Sequence, residues 1–145
     1  MRLLASTDLA LRVLMRLAAE PPDRRPLPVE VIASDLGGLS RHHLHKIVQD
    51  LAVLGAVRTR RGGSGGVSLA LRPEQIGVGA LIRQLEDDQP LVECFRVDGG
   101  CCTLRSGCRL RGLVRQAQDA FYRRLEGYTL ADCLPETNDS AAAEA

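Results

Sequence analysis

The sequence predicts a mainly α fold, a winged helix-turn-helix with a two-stranded wing followed by a long C-terminal helix. Three features carry that prediction. Two short segments with apolar residues at helical spacing meet at Gly37-Gly38. Two β-prone stretches, Ala56–Arg60 and Val67–Leu71, flank the turn Arg61-Gly62-Gly63-Ser64-Gly65-Gly66. Leu110, Leu113, Val114, Ala117, Phe121 and Leu125 then recur at the spacing of a helix of roughly 17 residues. At 145 residues the chain has the length of one domain with a short appended element.

The first helix follows from Leu11, Leu14, Leu17 and Ala18, with Ser6 or Thr7 as its cap and Asp8 in its first turn, where negative charge suits the dipole. The run from Pro21 to Pro28 reads as a loop. Val29, Ile32, Ala33 and Leu36 mark a short second helix. Ser40 is the predicted N-cap of a third, whose stripe is Leu44, Ile47, Val48, Leu51 and Leu54 and whose stop is Gly55. After the hairpin, Ile76, Leu81, Ile82 and Leu85 suggest another short helix, and residues 86–108 read as irregular. The boundaries expected are 1–72 for the winged helix-turn-helix, 73–134 for a cysteine-bearing loop and the long helix, and 135–145 for a disordered tail. Cys133 stands apart and reads as a small buried or tail residue.

Charge is distributed in blocks. Residues 1–72 carry 11 basic against 6 acidic side chains, which points that half toward a polyanionic partner. Aromatic residues are only 3% and Trp is absent, which argues against stacking platforms for single strands and favours duplex DNA. With Leu44 at the centre of the buried face, steps of about 100° put His42, His45, Lys46 and Gln49 on the opposite face, with Arg41 in the first turn. These are donors for phosphates or base edges in the major groove, and Ser40, Arg58, Arg60 and Arg61 complete the expected DNA-binding set. His42, His43 and His45 also allow a metal site, but on a groove-facing helix they fit DNA or the helix cap better. No Gly-Lys-Ser/Thr follows the glycines, so a phosphate-cradling enzyme loop is disfavoured. No apolar run approaches the roughly 18–20 residues of a membrane span. Arg2 and Asp8 interrupt any signal-peptide core, so a cytoplasmic protein is expected.

Four of the five cysteines, Cys94, Cys101, Cys102 and Cys108, fall within one glycine-rich stretch. Clustered thiols in an intracellular chain point to metal or redox chemistry, and the glycines permit the turns that wrap a centre. The lack of a Cys-x-x-Cys pair disfavours a zinc knuckle or a thioredoxin-like site.

Six segments together resemble one family: Ser6-Thr7-Asp8-Leu9-Ala10-Leu11-Arg12, Leu39-Ser40-Arg41-His42-His43-Leu44, the wing from Arg61 to Gly66, Leu91-Val92-Glu93-Cys94-Phe95, Cys102-Thr103-Leu104-Arg105-Ser106-Gly107-Cys108-Arg109-Leu110, and Tyr128-Thr129-Leu130-Ala131-Asp132. The family is that of the bacterial winged-helix iron–sulfur transcriptional regulators, and the likeness runs over about residues 1–134. It implies a homodimer built on the C-terminal helix and a DNA-binding repressor rather than an enzyme. It also implies a cluster, 4Fe–4S in preference to 2Fe–2S, held beside that helix by Cys94, Cys102 and Cys108. The six-residue step from Cys102 to Cys108 fits the family spacing, and the adjacent Cys101 is a departure from it.

In the nitric-oxide-sensing branch the fourth ligand corresponds to Asp8, donated by the partner subunit. In the cluster-assembly branch it is a histidine three residues after the last cysteine, where this chain has Arg111. The sequence therefore sides with the nitric-oxide-sensing branch, with Arg105, Arg109 and Arg111 to neutralise an anionic centre. The expected function is a repressor whose cluster braces the DNA-binding half against the dimer helix, nitrosylation releasing operator DNA. The alternatives are an iron- or redox-responsive regulator of the same fold, a small electron-transfer protein and a zinc-structural regulator.

Overall fold

The computed structural model describes residues 3–135 apart from 64, 88, 105 and 106. Five helices carry the fold: α1 (Ala5–Ala18), α2 (Val29–Asp35), α3 (Arg41–Val53), α4 (Val78–Leu85) and α5 (Arg109–Glu126). Strands β1 (Val57–Arg60) and β2 (Gly66–Leu69) lie between α3 and α4. They pair antiparallel in the register Val57↔Leu69, Arg58↔Ser68, Thr59↔Val67 and Arg60↔Gly66. The predicted winged helix-turn-helix and long final helix are therefore the observed ones. Among the described residues no helix is long and apolar enough to cross a membrane.

The main core forms where α1, α2 and α3 turn their stripes on one another. Leu14, Ile32, Leu44 and Leu51 are fully buried there, and Val57, Val67 and Leu69 of the wing close it. Each such side chain contributes roughly 1.5–3 kcal/mol by leaving water. Burial of Leu44 and Ile47 fixes the rotation of α3 and hence which side chains it shows to solvent.

Two local expectations are corrected. Helix α1 begins at Ala5, so its cap residue is Leu4, two or three residues before the predicted Ser6 or Thr7, and Leu4 offers no side-chain hydrogen bond. Thr7 is buried inside the helix instead, its hydroxyl without a hydrogen-bond partner among the described residues. The segment from Pro21 to Pro28 is not only a loop. It makes a 3-10 turn over Pro22–Arg24, and Leu27 then exchanges two backbone hydrogen bonds with Val67, of 2.9 and 2.7 Å. Leu27 so becomes a third edge on the wing and is buried.

A second, smaller cluster joins α4 to α5 through Val78, Ile82 and Tyr122. Gly79 lets the two helices approach: a Cβ there would sit 2.5 Å from the backbone nitrogen of Glu126. The end of α5 is also fastened to the main body. Val78 N–H donates to Tyr128 at 3.0 Å, Leu130 N–H donates to Ile76 at 2.8 Å, and Leu130 is buried in the main core. The apolar residues read as one stripe on α5 split in two. Phe121 and Leu125 are half-buried against the α4 cluster and Val114 is half-buried, whereas Leu110 and Leu113 are 66% and 62% exposed. Cys133 is exposed, in a 3-10 turn over Ala131–Cys133. Of the expected disordered tail, residues 136–145 lie outside the described residues.

Candidate nucleic-acid interface and metal centre

Ser40 caps α3 as predicted, its hydroxyl accepting the His43 N–H at 3.3 Å. With Leu44, Ile47, Val48 and Leu51 turned inward, Arg41, His42, His45, Lys46 and Gln49 are all exposed. Lys46 pairs with Asp50 at 2.6 Å. Arg58 and Arg60 are exposed on β1, and by the two-residue period they share a face. Arg61 is exposed at the start of the turn. A groove of about 470 Å³ runs between the start of α2, the exposed side of α3 and the wing, and is lined by Glu30, His45, Gln49, Arg60 and Arg61 among others. Sequence reasoning missed Glu30. Its carboxylate lies 3.5 Å from Arg41 in an exposed pair, and only the tertiary approach of α2 to α3 reveals it. A basic groove with a donor-bearing helix on one wall and a basic hairpin on the other is suited to a duplex backbone and its base edges.

The cysteines sit at the opposite end of the sequence, around the start of α5. Cys94 is buried in a 3-10 turn over Glu93–Phe95, Cys102 and Cys108 are half-buried, and Cys101 is exposed. Cys108 is the N-cap residue of α5, beside the N–H groups of the helix's first turn, which have no acceptor within the helix. Arg115 stacks over the Phe95 ring at 4.4 Å and ties the Cys94 turn to α5. Asp98, held by Arg96 at 2.7 and 3.0 Å and by the Gly100 N–H at 2.9 Å, has its carboxyl kept well below the usual range, first by Arg96 and then by that amide. Burial, reinforced by Glu86, pushes the Tyr122 hydroxyl up.

Asp8 lies on α1 and is exposed, its carboxylate 2.9 Å from Arg12. Among the described residues of one chain, no three His, Cys, Asp or Glu side chains gather closely enough to hold a metal. The residues nevertheless fit an anionic iron–sulfur group on two counts. The thiol donors include one at a helix N-terminus. In the first turn of the same helix the Nε of Arg111 is buried without a hydrogen-bond partner among the described residues, a donor awaiting an acceptor. Arg109 is exposed beside it, and Arg105 lies outside the described residues.

A recognition helix, a wing and a long helix beyond them define a winged-helix, DNA-binding transcriptional regulator. The model of the Rrf2 family, described as iron-dependent transcriptional regulators, matches residues 3–136. The chain belongs to the Rrf2 family. It is 43% identical over 136 residues to the HTH-type transcriptional regulator NsrR of Geobacillus kaustophilus, covering 94% of this chain and 91% of that one. It is 41% identical over 134 residues to the HTH-type transcriptional repressor NsrR of Streptomyces coelicolor, covering 92% and 88%. Among solved structures, CymR, the global cysteine regulator of B. subtilis, superposes with a TM-score of 0.71 at 26% identity, covering 92% of this chain and 95% of that chain. This chain is accordingly a DNA-binding repressor close to the NsrR regulators, and not an enzyme.

Proposed function

We propose that the chain binds operator DNA as a homodimer and that an iron–sulfur cluster senses nitric oxide. Cys94, Cys102 and Cys108 of one protomer and Asp8 of the partner subunit hold the cluster. When bound, the cluster supplies an iron at which nitric oxide reacts. The observation that carries the reading is the pairing, at one end of α5, of a thiol at the N-cap with an arginine Nε that is buried and unsatisfied. An anionic group there would accept from the helix N–H groups and from Arg111 at once.

The dimer is supported by α5. Leu110, Leu113, Ala117 and Ala120 recur at steps of three, four and three on its exposed side, the spacing of a helix-to-helix seam. Large apolar residues at two-thirds exposure are otherwise left in water. Asp8 is free to change partners, because an exposed pair such as Asp8–Arg12 contributes no more than about 1 kcal/mol. A carboxylate is also a harder and more exchangeable ligand than a thiolate for iron. Joining the two ends of the chain through the partner would fix the spacing of the two α3 helices. Release needs the two states to differ in affinity for DNA.

Anaerobic titration of the loaded protein with nitric oxide, followed by operator binding in the same samples, tests this. Operator release should track the loss of the cluster's absorbance, and binding that persists after that loss overturns it. The family's description as iron-dependent favours one second reading, in which cluster occupancy is itself the signal. Release on iron chelation, with intact loaded protein indifferent to nitric oxide, is its signature.

A further inference from the structure

The cysteine loop contains two adjacent thiols, and the structure treats them differently: Cys101 is exposed, whereas Cys102 is half-buried. A distinctive backbone contact accompanies the difference. Glu93, immediately before Cys94, reaches across the loop so that its Oε1 accepts the Cys101 N–H at 3.2 Å. The preceding amide, of Gly100, is held in the same manner by Asp98 Oδ1 at 2.9 Å, and Arg96 grips Asp98 through two nitrogens. Arg96 also lies 3.8 Å from Glu93. Two consecutive N–H groups are thus each bound by a carboxylate, and one guanidinium bridges the two acids.

Gly100 makes the closure possible. Its φ is +58°, and a Cβ there would stand 2.6 Å from the Glu93 carbonyl oxygen and 2.7 Å from its Oε1. A hydrogen bond to an ionised acceptor is stronger than one to a neutral acceptor, so the carboxylate is the stiffest tether available to this backbone.

We propose that Glu93 is a positioning residue that sorts the adjacent thiols, pinning the backbone of Cys101 so that Cys101 stays in solvent and Cys102 is the thiol turned inward and kept for the ligand set. The inference rests on the ligand set proposed above and adds a residue that is not itself a ligand. Because sorting is a property of the loop, it is present before any iron is bound.

The test uses the full-length apo protein, reduced and anaerobic, with iodoacetamide as probe and fragment mass spectrometry to resolve the two sites. In the native chain Cys101 should be alkylated about fivefold faster than Cys102, the scale of one charge-assisted hydrogen bond held at a partly exposed site. Glu93→Ala should bring the two rates within about twofold. Glu93→Gln, whose amide oxygen still accepts from Cys101 N–H, should restore most of the difference. Equal rates in the native chain, or a ratio that Glu93→Ala does not move, overturn the proposal. So does a Glu93→Gln protein that behaves like Glu93→Ala, because the effect would then be one of charge alone. In reconstitution with iron and sulfide, Cys101→Ser should keep the cluster and Cys102→Ser lose it, with part of the loss recovered when Glu93→Ala is added. A native chain that takes up no iron sinks the ligand set, while the alkylation ratio judges Glu93 independently.

Discussion

Asp8 serves α1 locally as well as the proposed cluster, and one substitution separates the two roles. In the first turn its charge favours the helix dipole, and it pairs with Arg12 in solvent. Together these are worth about 1 kcal/mol or less. Asp8→Ala should therefore leave thermal unfolding of the apo protein nearly unchanged while the loaded protein loses its cluster several-fold faster, followed by its visible absorbance. Asp132 offers a residue-scale prediction free of iron. It accepts both the Thr129 N–H at 2.7 Å and the Thr129 hydroxyl at 2.8 Å, and these bonds hold its carboxyl below the usual range. A depressed folded value means that its contribution is complete above the ordinary carboxylate range and disappears as pH falls through the folded value. Protection of the Thr129 amide relative to its intrinsic exchange should fall in acid over that window, and Asp132→Ala should show the lowered protection at neutral pH.

Among the elements, the α4–α5 contact leaves no room for a side chain at Gly79. A methyl group at Gly79 meets the backbone of Glu126, which cannot swing aside as a side chain would. Gly79→Ala should destabilise the fold by about 1–3 kcal/mol despite the better helix propensity of alanine, read by denaturant unfolding. Elements of this kind were legible in the sequence wherever one short-range rule decided them. Ser40 caps α3, Gly55 ends it at φ +71°, and Leu44, Ile47, Val48 and Leu51 face inward as their spacing dictates. Legibility failed where a partner distant in sequence chooses. Nothing local says that Leu27 will pair with Val67, that Glu30 will meet Arg41 or that Glu93 will hold Cys101. On α5 the helical period was clear, but two apolar faces overlapped in one pattern, and only packing against α4 separates Leu110 and Leu113 from Phe121 and Leu125. The exposed donors of α3 could be read because they are the complement of a buried stripe. The cysteine set came from family resemblance, since spacing alone does not choose between Cys101 and Cys102.

At the scale of the whole molecule, a basic winged helix-turn-helix is followed by a long helix, and the proposed roles of the two can be tested separately. If Arg60 and Arg61 contact phosphates, replacing both with alanine should lower the slope of log affinity against log salt by about 2, with little change in the preference among operator sequences. An unchanged slope would place the wing off the DNA. Leu113→Glu puts a charge on the exposed seam of α5 without touching the core. If α5 forms the proposed dimer, light scattering should show a dimer for the native chain and a monomer for this variant, and operator affinity should fall with the lost second half-site.

The fastening of α5 has a mechanical consequence. Backbone bonds from Tyr128 to Val78 and from Leu130 to Ile76 anchor its far end beside the main core, while Cys108 stands at the other tip. Eighteen residues of helix make an arm of about 27 Å, so a swing of about 5° at that fulcrum carries the cysteine tip roughly 2 Å. Read in reverse, a change of fit by an ångström or two among the sulfurs arrives at the pivot as a small torque beside Leu130, whose side chain is already packed among those that orient α3.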